Sequence, residues 1–233
     1  AGPTGGRARL TLLRRPDAGG RAGVGVAAAV TPGHLPALCR GGRSEGGREG
    51  ARPRRWIAMW VDSHCHLDFP DFADELDAVV ARAEAAGVTT LLTISTHLSR
   101  IERVIAIAER FANVFCTVGI HPHDVAKAGE DTLDALKQLV LTHKKIVAYG
   151  EIGLDYFRNI SRQEIQVEMF GQQLDLVKEL NLPVVIHDRE AHRQSLDMIQ
   201  ASGVRRGVFH CFSGDYDMAR KCIDLGFYIS IPG

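Results

Sequence analysis

Two histidines one residue apart, His64 and His66, lie in the run Asp62-Ser63-His64-Cys65-His66-Leu67-Asp68. Alternate side chains of an extended strand leave the same face, so both imidazoles point one way and make a chelating pair while Cys65 turns away. Three more apolar runs end in a metal-capable group: 147–151 at Glu151, 183–187 at His187 and 207–210 at His210. A single histidine after such a run is ordinarily a satisfied structural residue. The same ending on four separate runs points instead to a metal centre. Four imidazoles and one carboxylate exceed the donor set of one tetrahedral ion. A bridging carboxylate between imidazoles suits two divalent cations about 3.5–4 Å apart, which makes Glu151 the bridge and the catalytic carboxylate. Such a pair acidifies a water and holds substrate oxygens, the chemistry of a hydrolase. Zinc, manganese and magnesium all remain open as the metal.

These groups need a scaffold that brings strand ends to one rim. From Met59 onward, short apolar runs at 60–64, 88–95, 114–120, 146–151, 183–187, 207–211 and 227–231 alternate with helical stretches. The helices are predicted near 72–86, 99–111, 131–143, 161–180, 189–201 and 215–225. Ser99-x-x-Glu102 and Ser161-x-x-Glu164 have the spacing of capping boxes, and Gly87, Gly203 and Gly226 stand where left-handed residues end helices. Strands that are apolar throughout are covered on both faces, and repeated strand–helix units imply a parallel sheet. Seven units without a Gly-rich phosphate loop after the first strand indicate an α/β protein of the (β/α)8 TIM barrel type rather than a doubly wound sheet. Such a barrel takes about 250 residues. Residues 59–233 supply 175, one strand–helix unit short.

Composition separates residues 1–58 from the rest. They hold 11 Arg, no Lys, 3 acidic residues, 13 of the 24 glycines and 5 of the 9 prolines, with Trp56 the one aromatic. We expect a disordered Gly/Arg-rich extension, read through before a native start at Met59. An organelle transit segment and a secretory or lipoprotein signal ending near Cys39 are the alternatives. Residues 59–233 carry 17 basic and 25 acidic residues, which argues against coating nucleic acid by bulk charge. The five cysteines form no CxxC pair, and reduced thiols in the cytoplasm are the simplest reading. No apolar run approaches the roughly 18 residues of a membrane span.

Taken together, Asp62–Asp68, Gly119-Ile120-His121-Pro122-His123, Gly150-Glu151-Ile152-Gly153-Leu154-Asp155-Tyr156, His187-Asp188-Arg189 and His210-Cys211-Phe212-Ser213-Gly214 resemble the motifs of the TatD family, in the same order. The resemblance implies a metal-dependent nuclease that trims DNA from the 3′ end, acting on single strands or 3′ termini. It implies one ion on His64, His66 and Glu151, and a second on Glu151, His187 and His210. It also implies an Asp ligand after an eighth strand, which these 233 residues do not contain. On that ground we expect weak or no activity and a tendency to aggregate.

Other positions are read from their surroundings. His121, His123 and Arg189 are candidates for substrate phosphate, Arg189 through bidentate pairing. Asp62 and Asp155 are candidates for orienting ligand imidazoles. Tyr156 and Phe212 are packing residues near the mouth, with base stacking the alternative. Cys65 and Cys211 are expected to be buried packing residues. His97, His143 and His192 have no supporting context. The competing functions are a related metal-dependent amidohydrolase, lactonase or acyl-ester hydrolase, and an inactive metal-binding remnant. A carboxylate rather than a modified lysine at position 151 favours the nuclease.

Overall fold

The computed structural model describes residues 27–29 and 59–231. Its strands are β1 (Ala27–Ala29), β2 (Trp60–Cys65), β3 (Val88–Thr93), β4 (Val114–Val118), β5 (Ile146–Asp155), β6 (Val184–Arg189), β7 (Gly207–His210) and β8 (Phe227–Ile229). Its α-helices are α1 (Leu76–Ala85), α2 (Ile101–Arg110), α3 (Thr132–Thr142), α4 (Gln163–Leu180), α5 (His192–Ser202) and α6 (Tyr216–Asp224). All eight strands lie in one sheet in sequence order, and β2 to β8 are parallel. Seven parallel strands taken in order, each pair joined across a helix, form the wall of a (β/α)8 barrel as the sequence predicts.

Strand alternation sorts the side chains into two layers. Leu91, Val184, Ile186 and Phe209 belong to the large core between sheet and helices, together with Val104, Phe170 and Leu174. Their neighbours on the opposite face, Ile94, Ala148 and Val185, with Leu92 and Val208 against them, form a separate small cluster inside the curl. Two residues beyond Val185 and Val208 on that same face come His187 and His210. The interior therefore has an apolar floor and an ionisable mouth.

Three local expectations are revised. Neither predicted capping box forms: Ser99 lies in a 3-10 turn, the N-caps of α2 and α4 are Arg100 and Arg162, and neither makes a side-chain cap bond. The Ser161 hydroxyl instead donates to the His123 carbonyl at 3.2 Å. Strand β5 runs to Asp155 rather than stopping at Glu151. Its glycines allow close approach to the neighbouring strand, since φ at Gly153 is +144° and a Cβ there would overlap the His187 carbonyl oxygen. A third difference is β1, which pairs antiparallel with β2, Ala28 opposite Val61, where the sequence offered no element. The other expectations for residues 1–58, including Cys39 and Trp56, lie outside the described residues. Gly87, Gly203 and Gly226 do adopt positive φ where α1, α5 and α6 give way to the next strand.

Candidate metal centre

The His64–His66 segment is fixed by main-chain bonds to β3 and the residues after it. Ile94 N–H donates to Cys65 O at 2.8 Å, and Leu67 N–H donates to the Thr93 hydroxyl at 3.1 Å. Asp62 Oδ1 accepts from His64 N–H at 3.1 Å. His66 stands edge-on to His64 with ring centroids 5.0 Å apart, and its Nδ1 lies 3.2 Å from the Ile94 carbonyl. His210 stacks on His64, 3.3 Å between centroids and 7° from parallel.

Glu151 is 3% exposed and divides its two oxygens between neighbours. Oε1 lies 2.8 Å from His187 Nδ1, and Oε2 lies 3.6 Å from His64 Nε2. Among the described residues, three groups have ligand atoms within 4.8 Å of one another: His64, Glu151 and His210; His121, Glu151 and His187; His123, Asp155 and His187. Glu151 is common to the first two groups, and His187 to the last two. His210 thus groups with His64, and His121 takes a place beside Glu151 and His187. His66 borders the first group without sharing it.

Asp155 is 1% exposed, and its Oδ2 lies 3.0 Å from His187 Nε2 and 2.8 Å from His123 Nε2. Arg189 ends β6 with its guanidinium 4.1 Å from the centre of the Phe157 ring. Cys65 gives its thiol to Leu92 O and is partly buried, whereas Cys211 is exposed. The expectation for Cys211 fails because β7 ends at His210. Cys211 itself takes φ +49°, so strand alternation no longer sets its direction.

Burial and neighbours decide which imidazoles offer lone pairs. Burial pushes His64 and His121 down to about 3, against the pull of Glu151, and lowers His210 as well. His187 is the exception. Burial lowers it, but hydrogen bonds to Asp155 and Glu151 outweigh that and raise it to about 9. Burial would raise Glu151, yet His187, His64 and His121 hold it well below the usual carboxylate range. To serve as a ligand, His187 must give up its proton.

The donor set fits a divalent cation. His64 is 2% exposed, and both its ring nitrogens are buried without a hydrogen-bond partner. An imidazole so placed is costly unless something satisfies it, and a cation shared with Glu151 would do so.

Helix α4 braces the mouth in a way that the sequence reading missed. The buried Gln173 accepts from Ile120 N–H at 2.7 Å and donates to Ile120 O at 3.1 Å, next to His121. Two turns earlier, Gln166 accepts from Asp155 N–H at 2.8 Å and donates to Asp155 O and Ser161 O. The one trace in the sequence is a pair of glutamines seven apart on the stripe of Phe170, Leu174 and Val177.

A parallel barrel with imidazoles and carboxylates gathered at the carboxyl ends of its strands has the architecture of the metal-dependent hydrolase barrels. Residues 61–233 match the family described as TatD related DNase, and the chain belongs to it. It is 34% identical over 177 residues to the uncharacterized metal-dependent hydrolase YabD of Bacillus subtilis, covering 75% of this chain and 69% of that protein. With the 3′-5′ ssDNA/RNA exonuclease TatD of Enterobacter lignolyticus it shares 37% identity over 174 residues, 74% of this chain and 66% of that one. The crystal structure of the Escherichia coli TatD homologue YjjV superposes with a TM-score of 0.69 at 36% identity, covering 72% of this chain and 66% of the other. A TatD family hydrolase from Entamoeba histolytica gives 0.67 at 26% identity, covering 72% and 63%. The chain thus spans about two thirds of the length of these relatives.

Proposed function

We propose that this protein hydrolyses phosphodiester bonds in single-stranded nucleic acid from the 3′ end, using two divalent cations held by His64, His66, Glu151, His187 and His210. The observation that carries the reading is Glu151, one buried carboxylate common to two clusters of imidazoles. Family membership and the exonuclease relatives add weight to it. When bound, divalent cations supply positive charge against the phosphodiester oxygens and a more acidic attacking water. The chain's own work is to fix the ligands and the substrate. Glu151 turns one oxygen to the His64 side and the other to the His187 side. Asp155 orients His187 and His123 through their ring nitrogens. His121 lies close enough to Glu151 and His187 to serve as ligand or as phosphate contact, while His123 and Arg189 are the donors to phosphate. Water oxygen bonds to phosphorus, one ester P–O bond breaks, and the departing alkoxide takes up a proton.

Among the described residues no helix is long and apolar enough to cross a membrane, and the four described cysteines are unpaired. The free cysteines accord with the reducing, cytoplasmic setting that is part of this proposal. The test is incubation of the chain with manganese, magnesium or zinc and a 5′-labelled single strand. The expected product is a ladder shortening from the 3′ end that chelation abolishes. Turnover of lactones or acyl esters with none of the DNA would overturn the reading.

A further inference from the structure

Phe157 is 60% exposed at the mouth, although a phenylalanine ring is a side chain whose burial would stabilise the fold. Scattered exposed apolar residues are ordinary, so exposure alone means little. Three further observations set this one apart. The Arg189 guanidinium lies over the ring, 4.1 Å from its centre, and so covers one face with a cation. The two residues sit on adjacent strand ends, because Asp155 pairs with Arg189 and Tyr156 N–H donates to Arg189 O at 2.9 Å.

The turn is also tied to the candidate metal ligands. Asp155 Oδ1 accepts from Arg158 N–H at 2.7 Å and its carbonyl accepts from Asn159 N–H, while Oδ2 faces His187 and His123. The carboxylate that orients those imidazoles therefore also closes the turn that presents Phe157. Two residues span at most about 7 Å even when extended, and less in this turn, which puts the ring within one or two nucleotides of a phosphate held at His187. The aromatic side chains considered from the sequence have other employment. Tyr156 donates its hydroxyl to Gln194 at 2.7 Å, and both it and Phe212 pack against the core.

We infer that Phe157 and Arg189 form a nucleobase subsite, in which a base of a single strand stacks on the Phe157 ring and Arg189 offers its charge to the neighbouring phosphate. This rests on the nucleic-acid reading above. The acidic body repels a polyanion, so a site built from one aromatic and one local cation is how such a surface can still hold a strand. Stacking tolerates any base, which gives affinity without sequence choice.

The experiment measures binding, so it needs no turnover. Fluorescence anisotropy gives Kd for a short labelled single strand and for the same strand with abasic residues at its last two 3′ positions. The wild type is expected to bind the intact strand roughly 5- to 150-fold more tightly than the abasic one. Phe157→Ala loses that preference, Phe157→Trp restores it, and Leu141→Ala, at an exposed position on α3, keeps it in full. Equal binding of both strands by the wild type, or an undiminished preference in Phe157→Ala, overturns the subsite. Base-dependent binding without strand cleavage would refute the nuclease activity and leave the subsite standing.

Discussion

Gln173→Leu keeps the volume and removes both bonds that the side chain makes to Ile120. Ile120 and Gln173 are 0% and 1% exposed, so no water can take over. One buried N–H and one buried C=O are then left unpaired, each costing about 1–3 kcal/mol, or about 2–6 kcal/mol together. A domain of this kind has roughly 5–15 kcal/mol in all, so the loss is severe. Gln172→Leu is the matched control. It lies one residue away in the same helix, is exposed, and reaches only Glu168 at 3.5 Å. It should change stability by under about 0.5 kcal/mol. Urea unfolding followed by circular dichroism, with the slope compared between variants, measures both. If the two substitutions shift the midpoint equally, the bracket on Ile120 is not what holds the His121 segment.

Thermal unfolding with and without chelator should show a metal-dependent rise, about 2.7 kcal/mol where free ion stands at a hundredfold of Kd. Glu151→Gln should remove that rise, because Glu151 belongs to two of the ligand clusters, and an undiminished response would contradict the assignment. Gly153→Ala should cost several kcal/mol and disrupt metal uptake, since φ +144° and the His187 carbonyl exclude a Cβ; wild-type metal content in a folded variant would refute this. Burial would raise Asp124, but the Lys127 ammonium and the Leu98 N–H lower it. A folded-state value below the unfolded one stabilises fully above about pH 4 and is lost as the pH falls through the folded value. Asp124→Asn should therefore lose less stability than wild type between about pH 5 and pH 3 in urea titrations, and equal acid sensitivity would count against the pairing.

Strands and helices were legible because each carries its own pattern: the β-branched run before His187 and the amphipathic stripe of α2 need no tertiary knowledge. The positions of His64, Glu151, His187 and His210 were legible for the same reason, since each ends or follows an apolar run. How they group was not. His210 meets His64 rather than His187, and that depends on how far the sheet curls, a property of all seven strands at once. The Ser161 box failed because a tertiary partner outbid the local one, the hydroxyl going to His123 O, and the Ser99 box failed because Ser99 falls inside a 3-10 turn rather than at the N-cap. Phe157 was passed over beside Tyr156 because nothing local distinguishes an exposed aromatic from a packed one.

Gln166 and Gln173, seven positions apart, grip two different segments of the mouth from a single rod. Inserting one residue anywhere in that interval would turn one grip by about 100° away from its target while the other stayed in place. Length variation in homologous chains should accordingly fall in the loops between strands and helices and spare the interval 166–173, even though its exposed side chains are open to exchange.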